Sequence, residues 1–111
     1  MPGRLPPAYV DALHAYEARL RARFGPRLCL FRVFGSHARG EAHADSDLDV
    51  AVVIVGLSGD ERRAAIDDAA EVELEKELLL APFVVSAEHF DHLVHRELAI
   101  ARAVLREGFA P

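Results

Sequence analysis

The sequence holds no tryptophan, one methionine, one lysine (Lys76) and one cysteine (Cys29) among 111 residues. A lone cysteine excludes an intramolecular disulfide and fits a reducing cytoplasm. Apolar runs are short. The stretch 50–55 (VAVVIV) falls far below the roughly 20 residues that a membrane helix needs. The opening MPGRLPP lacks the apolar core of a signal peptide. Positive charge is also scarce, with 13 Lys and Arg against 18 Asp and Glu and a net charge of −5. That balance excludes a general nucleic-acid coat, whose footprint is basic, and makes nucleic acid an unexpected partner. A local positive pocket for a nucleotide stays compatible with it. No internal repeat, low-complexity tract or linker is visible, so residues 1–111 read as one domain. A chain of 111 residues, 51% of them hydrophobic, can bury one real core and has little room for a second. A large substrate would then have to be presented by another molecule.

The hydrophobic pattern predicts α-β-β-α-β-α-α. Pro6-Pro7 suits a helix start, and Tyr9, Leu13, Tyr16, Leu20 and Phe24 form one apolar face ending at Gly25-Pro26. Residues 28–34 (LCLFRVF) read as a buried strand, with a short helical turn over 36–39 after Gly35. Residues 47–55 (DLDVAVVIV) are the strongest strand. Ser58 and Glu61 have the spacing of a capping box. A helix follows to about Leu80, with Ile66, Ala70, Leu74 and Leu78 expected on its inward face. Pro82 is expected to start a short strand over 83–85. Helices over 87–95 and 97–107 close the chain, the second ending at Gly108. The fold class is α/β (α+β), a small mixed sheet of about three strands covered by helices.

Two features carry chemistry. Gly35-Ser36 follows a buried strand and opens a helical turn, where glycine permits close backbone approach and free N–H groups favour phosphate. Ten residues later, Asp47 and Asp49 sit two apart at a strand start, so their side chains share a face. Leu48 and Val50 face the other way, into a core. Paired carboxylates beside a phosphate cradle suit Mg²⁺, which takes oxygen ligands and bridges carboxylates to phosphates. A lone D-x-D is usually a charged strand entry. That bland reading leaves Gly35-Ser36, Arg39 and Ser46 unexplained.

The segment FGSHARGEAHADSDLDV, with its G-S, ten residues, then D-x-D, resembles the minimal nucleotidyltransferases of the DNA polymerase β-like superfamily. The tail, PFVVS followed by two helices and LREG, resembles small members of that group. The resemblance implies transfer of a nucleoside monophosphate from an NTP, AMP from ATP, to a hydroxyl acceptor with Mg²⁺ or Mn²⁺. It places Asp47 and Asp49 as metal ligands and catalytic residues. Gly35 and Ser36 would hold the phosphates, with Arg39 and Ser46 near them. It further implies a HEPN-type toxin as protein partner, with a tyrosine hydroxyl as acceptor. A homodimer is the alternative, because a small open sheet with exposed apolar helices often needs a cover.

One element of the family pattern is missing. Active members carry a third carboxylate on the next strand, and PFVVS has none. Glu77, Glu88 and Asp45 are the nearest acids, none at the expected spacing. Two readings therefore stand: a working transferase, or a catalytically weak or inactive binding and regulatory subunit acting by complex formation.

Other residues read more plainly. His89, His92 and His95 fall three apart, drift round a helix and lack a fourth ligand, so they read as a solvated face. His37 and His43 read as loop residues, and Cys29 as core. Arg19, Arg21, Arg23 and Arg27 suit the end of the first helix and ion pairs. Glu71, Glu73, Glu75 and Glu77 read as a solvated face or one meeting a basic partner.

Overall fold

A computed structural model describes residues 5–40, 47–96 and 98–111. The chain begins with α1 (Pro7–Phe24), whose residues Ala12, Leu13, Tyr16, Leu20 and Phe24 are buried. Tyr9, at the head of the stripe, is only partly buried. Gly25, at φ 56°, ends the helix by returning its N–H to the Arg21 carbonyl. A single 3₁₀ turn, Gly25–Arg27, leads into β1 (Leu28–Phe34) and then α2 (Ser36–Arg39). The remaining elements are β2 (Leu48–Ile54), α3 (Gly59–Lys76), β3 (Leu80–Ser86), α4 (Ala87–His95) and α5 (Ala99–Glu107). Their order is the one expected from the pattern.

The sheet order is β1-β2-β3. β1 runs antiparallel to β2, and β3 runs parallel to it, so the sheet is mixed. β3 is longer than the expected 83–85 and includes Pro82 within it. An edge strand tolerates proline, because a missing N–H on the open side costs no ladder bond.

In β1 the register moves from Leu28↔Ile54 to Leu30↔Val53, which makes Cys29 the extra residue of a bulge. Cys29 is consequently exposed instead of a core residue. Its thiol donates to the Val53 carbonyl at 3.3 Å. Partial burial of the sulfur raises the thiol pKa, and nearby Glu88 adds to that.

α3 opens on the expected capping box. Ser58 Oγ accepts the Glu61 N–H at 3.1 Å, and Glu61 Oε1 accepts the Ser58 N–H at 3.0 Å. Two expectations for α3 fail. It stops at Lys76, with Glu77 in the left-handed region at φ 57°, ψ 38°. Its inward residues are Ala65, Asp68, Ala69 and Val72, whereas Leu74 is 83% exposed. α3 turns small side chains and charges toward the large side chains and cations of α1 and the turn that follows it. Arg23 grips Asp68 with two bonds of 2.9 Å. Arg27 does the same to Glu61 at 2.8 Å, and Lys76 pairs with Asp11 at 2.8 Å. Arg19 pairs with Glu71 and, at 2.7 Å, with Glu75. Part of the glutamate stripe thus meets the arginines of its own chain. Tyr16 donates to the Ala65 carbonyl at 3.0 Å, and burial lifts its hydroxyl pKa above the tyrosine range.

The sheet separates two cores. The larger joins α1 and α3 to Phe31, Val33, Val50, Val52 and Ile54. The smaller joins α4 and α5 to Phe34, Ala51, Val53 and Val85. After α5 the chain turns at Gly108, and Phe109 bridges antiparallel to Val33 on β1. Among the described residues, no helix is long and apolar enough to cross a membrane.

Candidate functional site

The site is built where β1 ends and β2 begins. Phe34 lies opposite Asp49 in the antiparallel register, so Gly35 leaves β1 beside the Asp49 carboxylate. Gly35 has φ +76°, a conformation glycine adopts without strain. A Cβ placed there would sit 2.2 Å from Asp49 Oδ2 and 3.0 Å from its Cγ. No other residue fits this position with the carboxylate where it is. The G-S and D-x-D parts of the motif, separate in sequence, are therefore in direct contact through one missing methyl group.

Asp49 shares the α4/α5 side of the sheet with Ala51 and Val53, following strand alternation. It is half-buried, while Asp47, just before β2, is exposed. Burial raises the Asp49 pKa first, and the Asp47 charge raises it further, against opposing effects of His37 and Arg39. Two carboxylates that repel each other at a partly desolvated position gain from a shared cation. The oxygen-only donor set suits a hard divalent ion such as Mg²⁺ or Mn²⁺.

α2 is a single turn that starts at Ser36, with the Arg39 N–H donating to the Gly35 carbonyl at 3.1 Å. Arg39 Nη1 holds Glu107 Oε2 at 3.0 Å. His37, read from sequence as a loop residue, is instead only 7% exposed. Tyr9 of α1 packs edge-on against its ring at 5.3 Å between centroids. Nothing local in the sequence signals this burial, because it comes from a helix 28 residues away. Ser46, His43 and Asp45 lie outside the described residues.

The third carboxylate is not supplied by β3. Asp49 pairs with Ala81 across the parallel ladder, and the next residue on that face, Phe83, pairs with Ala51. Glu88 lies beyond the far end of β3, near Cys29. Glu77 sits at the correct end of the sheet but caps α3, exposed. Among the described residues no cluster of three His, Cys, Asp or Glu is placed to hold a metal ion, the α4 histidines included. His89 and His92 stack on each other, and His95 lies near Asp91 at 3.6 Å.

A family model for the nucleotidyltransferase domain matches residues 17–104. The chain belongs to the nucleotidyltransferase family. That assignment agrees with the polymerase β-like resemblance, and it gives the enzyme class. Solved structures share the fold. A toxin–antitoxin complex crystallised with AMP-PNP is 23% identical, with a TM-score of 0.54, covering 85% of this chain and 68% of that one. A nucleotidyltransferase-like protein from Sulfolobus solfataricus is 19% identical, with a TM-score of 0.51 and coverages of 81% and 83%. A mutant of the toxin–antitoxin pair MntA-HpeT is 21% identical, with a TM-score of 0.51 and coverages of 84% and 67%. That mutant replaces two aspartates, two residues apart, with glutamate. No curated protein matches the chain by sequence.

Proposed function

We propose that residues 1–111 form one nucleotidyltransferase domain that transfers AMP from ATP to a hydroxyl of a partner protein. The observation that carries this reading is the contact between Gly35 and Asp49, where a Cβ would lie 2.2 Å from Oδ2. A purely structural strand entry has no need for a left-handed glycine pressed against a carboxylate. A site that brings phosphates and a metal-binding acid together does.

In this reading Asp47 and Asp49 hold Mg²⁺ or Mn²⁺, which would neutralise phosphate charge and favour in-line attack at the α-phosphorus. Gly35 lets the Asp49 carboxylate lie against the backbone at the start of the turn, and the Ser36 turn offers the phosphates backbone N–H groups. Arg39 lies along the triphosphate. The acceptor hydroxyl attacks and pyrophosphate leaves, so positioning and charge do most of the work. The partner is a HEPN-type toxin and the acceptor one of its tyrosines, which makes this chain an antitoxin that acts in the cytoplasm. The toxin–antitoxin neighbours, one with an ATP analogue and one altered at an aspartate pair of the same spacing, support the reading.

A second reading rests on Ala81 and Phe83, which occupy the strand face where a third acid belongs. It holds that the domain is a catalytically weak or inactive subunit that neutralises its partner by complex formation alone, as a monomer or as a homodimer.

One experiment separates the two. The purified chain is incubated with labelled ATP, Mg²⁺ and its co-encoded partner. Label should appear on the partner with the wild type and vanish with Asp47→Ala and Asp49→Ala. If neutralisation survives both substitutions and no label ever transfers, the binding reading replaces the catalytic one.

A further inference from the structure

We infer that Glu107, at the end of α5, is a positioning residue that holds Arg39 at the triphosphate side of the site. The inference rests on the nucleotidyltransferase reading above and extends it to a residue outside the motif.

Two contacts tie the C-terminal segment to the site. Glu107 Oε2 accepts from Arg39 Nη1 at 3.0 Å, across 68 residues of chain. Two residues on, Phe109 and Val33 exchange both backbone bonds, at 2.9 and 3.0 Å. Val33 lies two residues before Gly35 on the same strand. Between these anchors, Gly108 makes the tight passage. A Cβ there would meet the Val104 carbonyl oxygen at 2.2 Å and the Val33 carbonyl oxygen at 3.3 Å. The segment 107–109 is thus fixed to the strand that delivers Gly35, and its carboxylate is delivered to the arginine of the following turn.

The Arg39 side chain is 42% exposed, and Glu107 is one of the groups that hold it. A long arginine side chain loses rotamer freedom on gripping a phosphate. A carboxylate that orients it beforehand lowers that loss. The pair is too exposed to matter much for folding, so its effect should appear in nucleotide binding.

The test is a double-substitution cycle on the full-length chain, read by calorimetric binding of ATP·Mg²⁺ and by thermal melting. Glu107→Gln should weaken ATP binding by roughly 5- to 20-fold, with little change in melting temperature. Glu107→Asp should recover part of that loss. Arg39→Gln should cost at least as much, and the double variant should bind no worse than Arg39→Gln alone. Losses that multiply, or a Glu107→Gln that melts early while binding ATP normally, overturn the inference. A Glu107→Gln that binds ATP normally while Arg39→Gln does not overturns it and leaves the nucleotidyltransferase reading standing. A wild type that binds no ATP·Mg²⁺ overturns both.

Discussion

The two sides of the sheet are built differently. Toward α1 and α3, seventeen buried residues form a continuous core, among the described residues, and a row of ion pairs closes its rim. Toward α4 and α5 the buried cluster has seven members among the described residues, and α5 reaches the site through Arg39–Glu107. Asp49 lies on this second side. The larger buried core lies on one face, and the proposed chemistry on the other. This arrangement lets a half-buried, mutually repelling carboxylate pair exist in a chain of 111 residues. The cost of the pair is offset mainly by a core on the opposite face of the sheet.

The contrast can be broken from either side. The largest effect should come from Leu20→Ala on the α1 face, a fully buried side chain. It should cost about 2–5 kcal/mol by denaturant unfolding, while molecules that remain folded bind ATP·Mg²⁺ with unchanged affinity. Altered affinity would show that the faces are coupled. Gly35→Ala should do the reverse. Its Cβ collides with Asp49 at a positive φ, so ATP·Mg²⁺ affinity should fall by roughly 100-fold, with a stability loss of only about 1–2 kcal/mol. An alanine variant that unfolds outright would mean the turn belongs to the stability face after all.

A smaller effect concerns the ion pairs. Arg27 and the Ser58 N–H hold the Glu61 pKa at about 2, below its ordinary 4.5. A depressed carboxylate contributes stability that is complete above 4.5 and is lost as pH falls toward 2. Melting temperature should therefore decline over that window more steeply in the wild type than in Glu61→Gln. Equal slopes would remove Glu61 from the account.

Much of this arrangement is legible in the sequence where a residue's role is local. The α1 stripe, the Ser58–Glu61 cap, the central strand and the G-S…D-x-D spacing all depend on neighbours within a turn or a strand. The inward face of α3 was not legible. Ile66, Ala70 and Leu74 look apolar by period, yet α1 supplies arginines, so Asp68 is the side chain that goes inside. Cys29 looked like core because alternation assumes no bulge. Pro82 looked like a strand start because only the sheet order shows that β3 is an edge. His37 and Glu107 depend on contacts with Tyr9 and Arg39 that lie far apart in the chain. Their burial or pairing leaves no mark on local pattern. The family pattern did show where an acid was missing, and the register now places Ala81 opposite Asp49.

The central claim is that Asp49, pressed against Gly35, holds a metal-bound nucleotide. It is tested most directly by calorimetric titration of ATP into the wild type and Asp49→Asn, with and without Mg²⁺. The account predicts binding only with Mg²⁺ in the wild type, reduced by about 100-fold or more in Asp49→Asn, since the neutral amide removes one of two charged metal ligands. Equal ATP affinity in the two proteins, or wild-type binding indifferent to Mg²⁺, would contradict it.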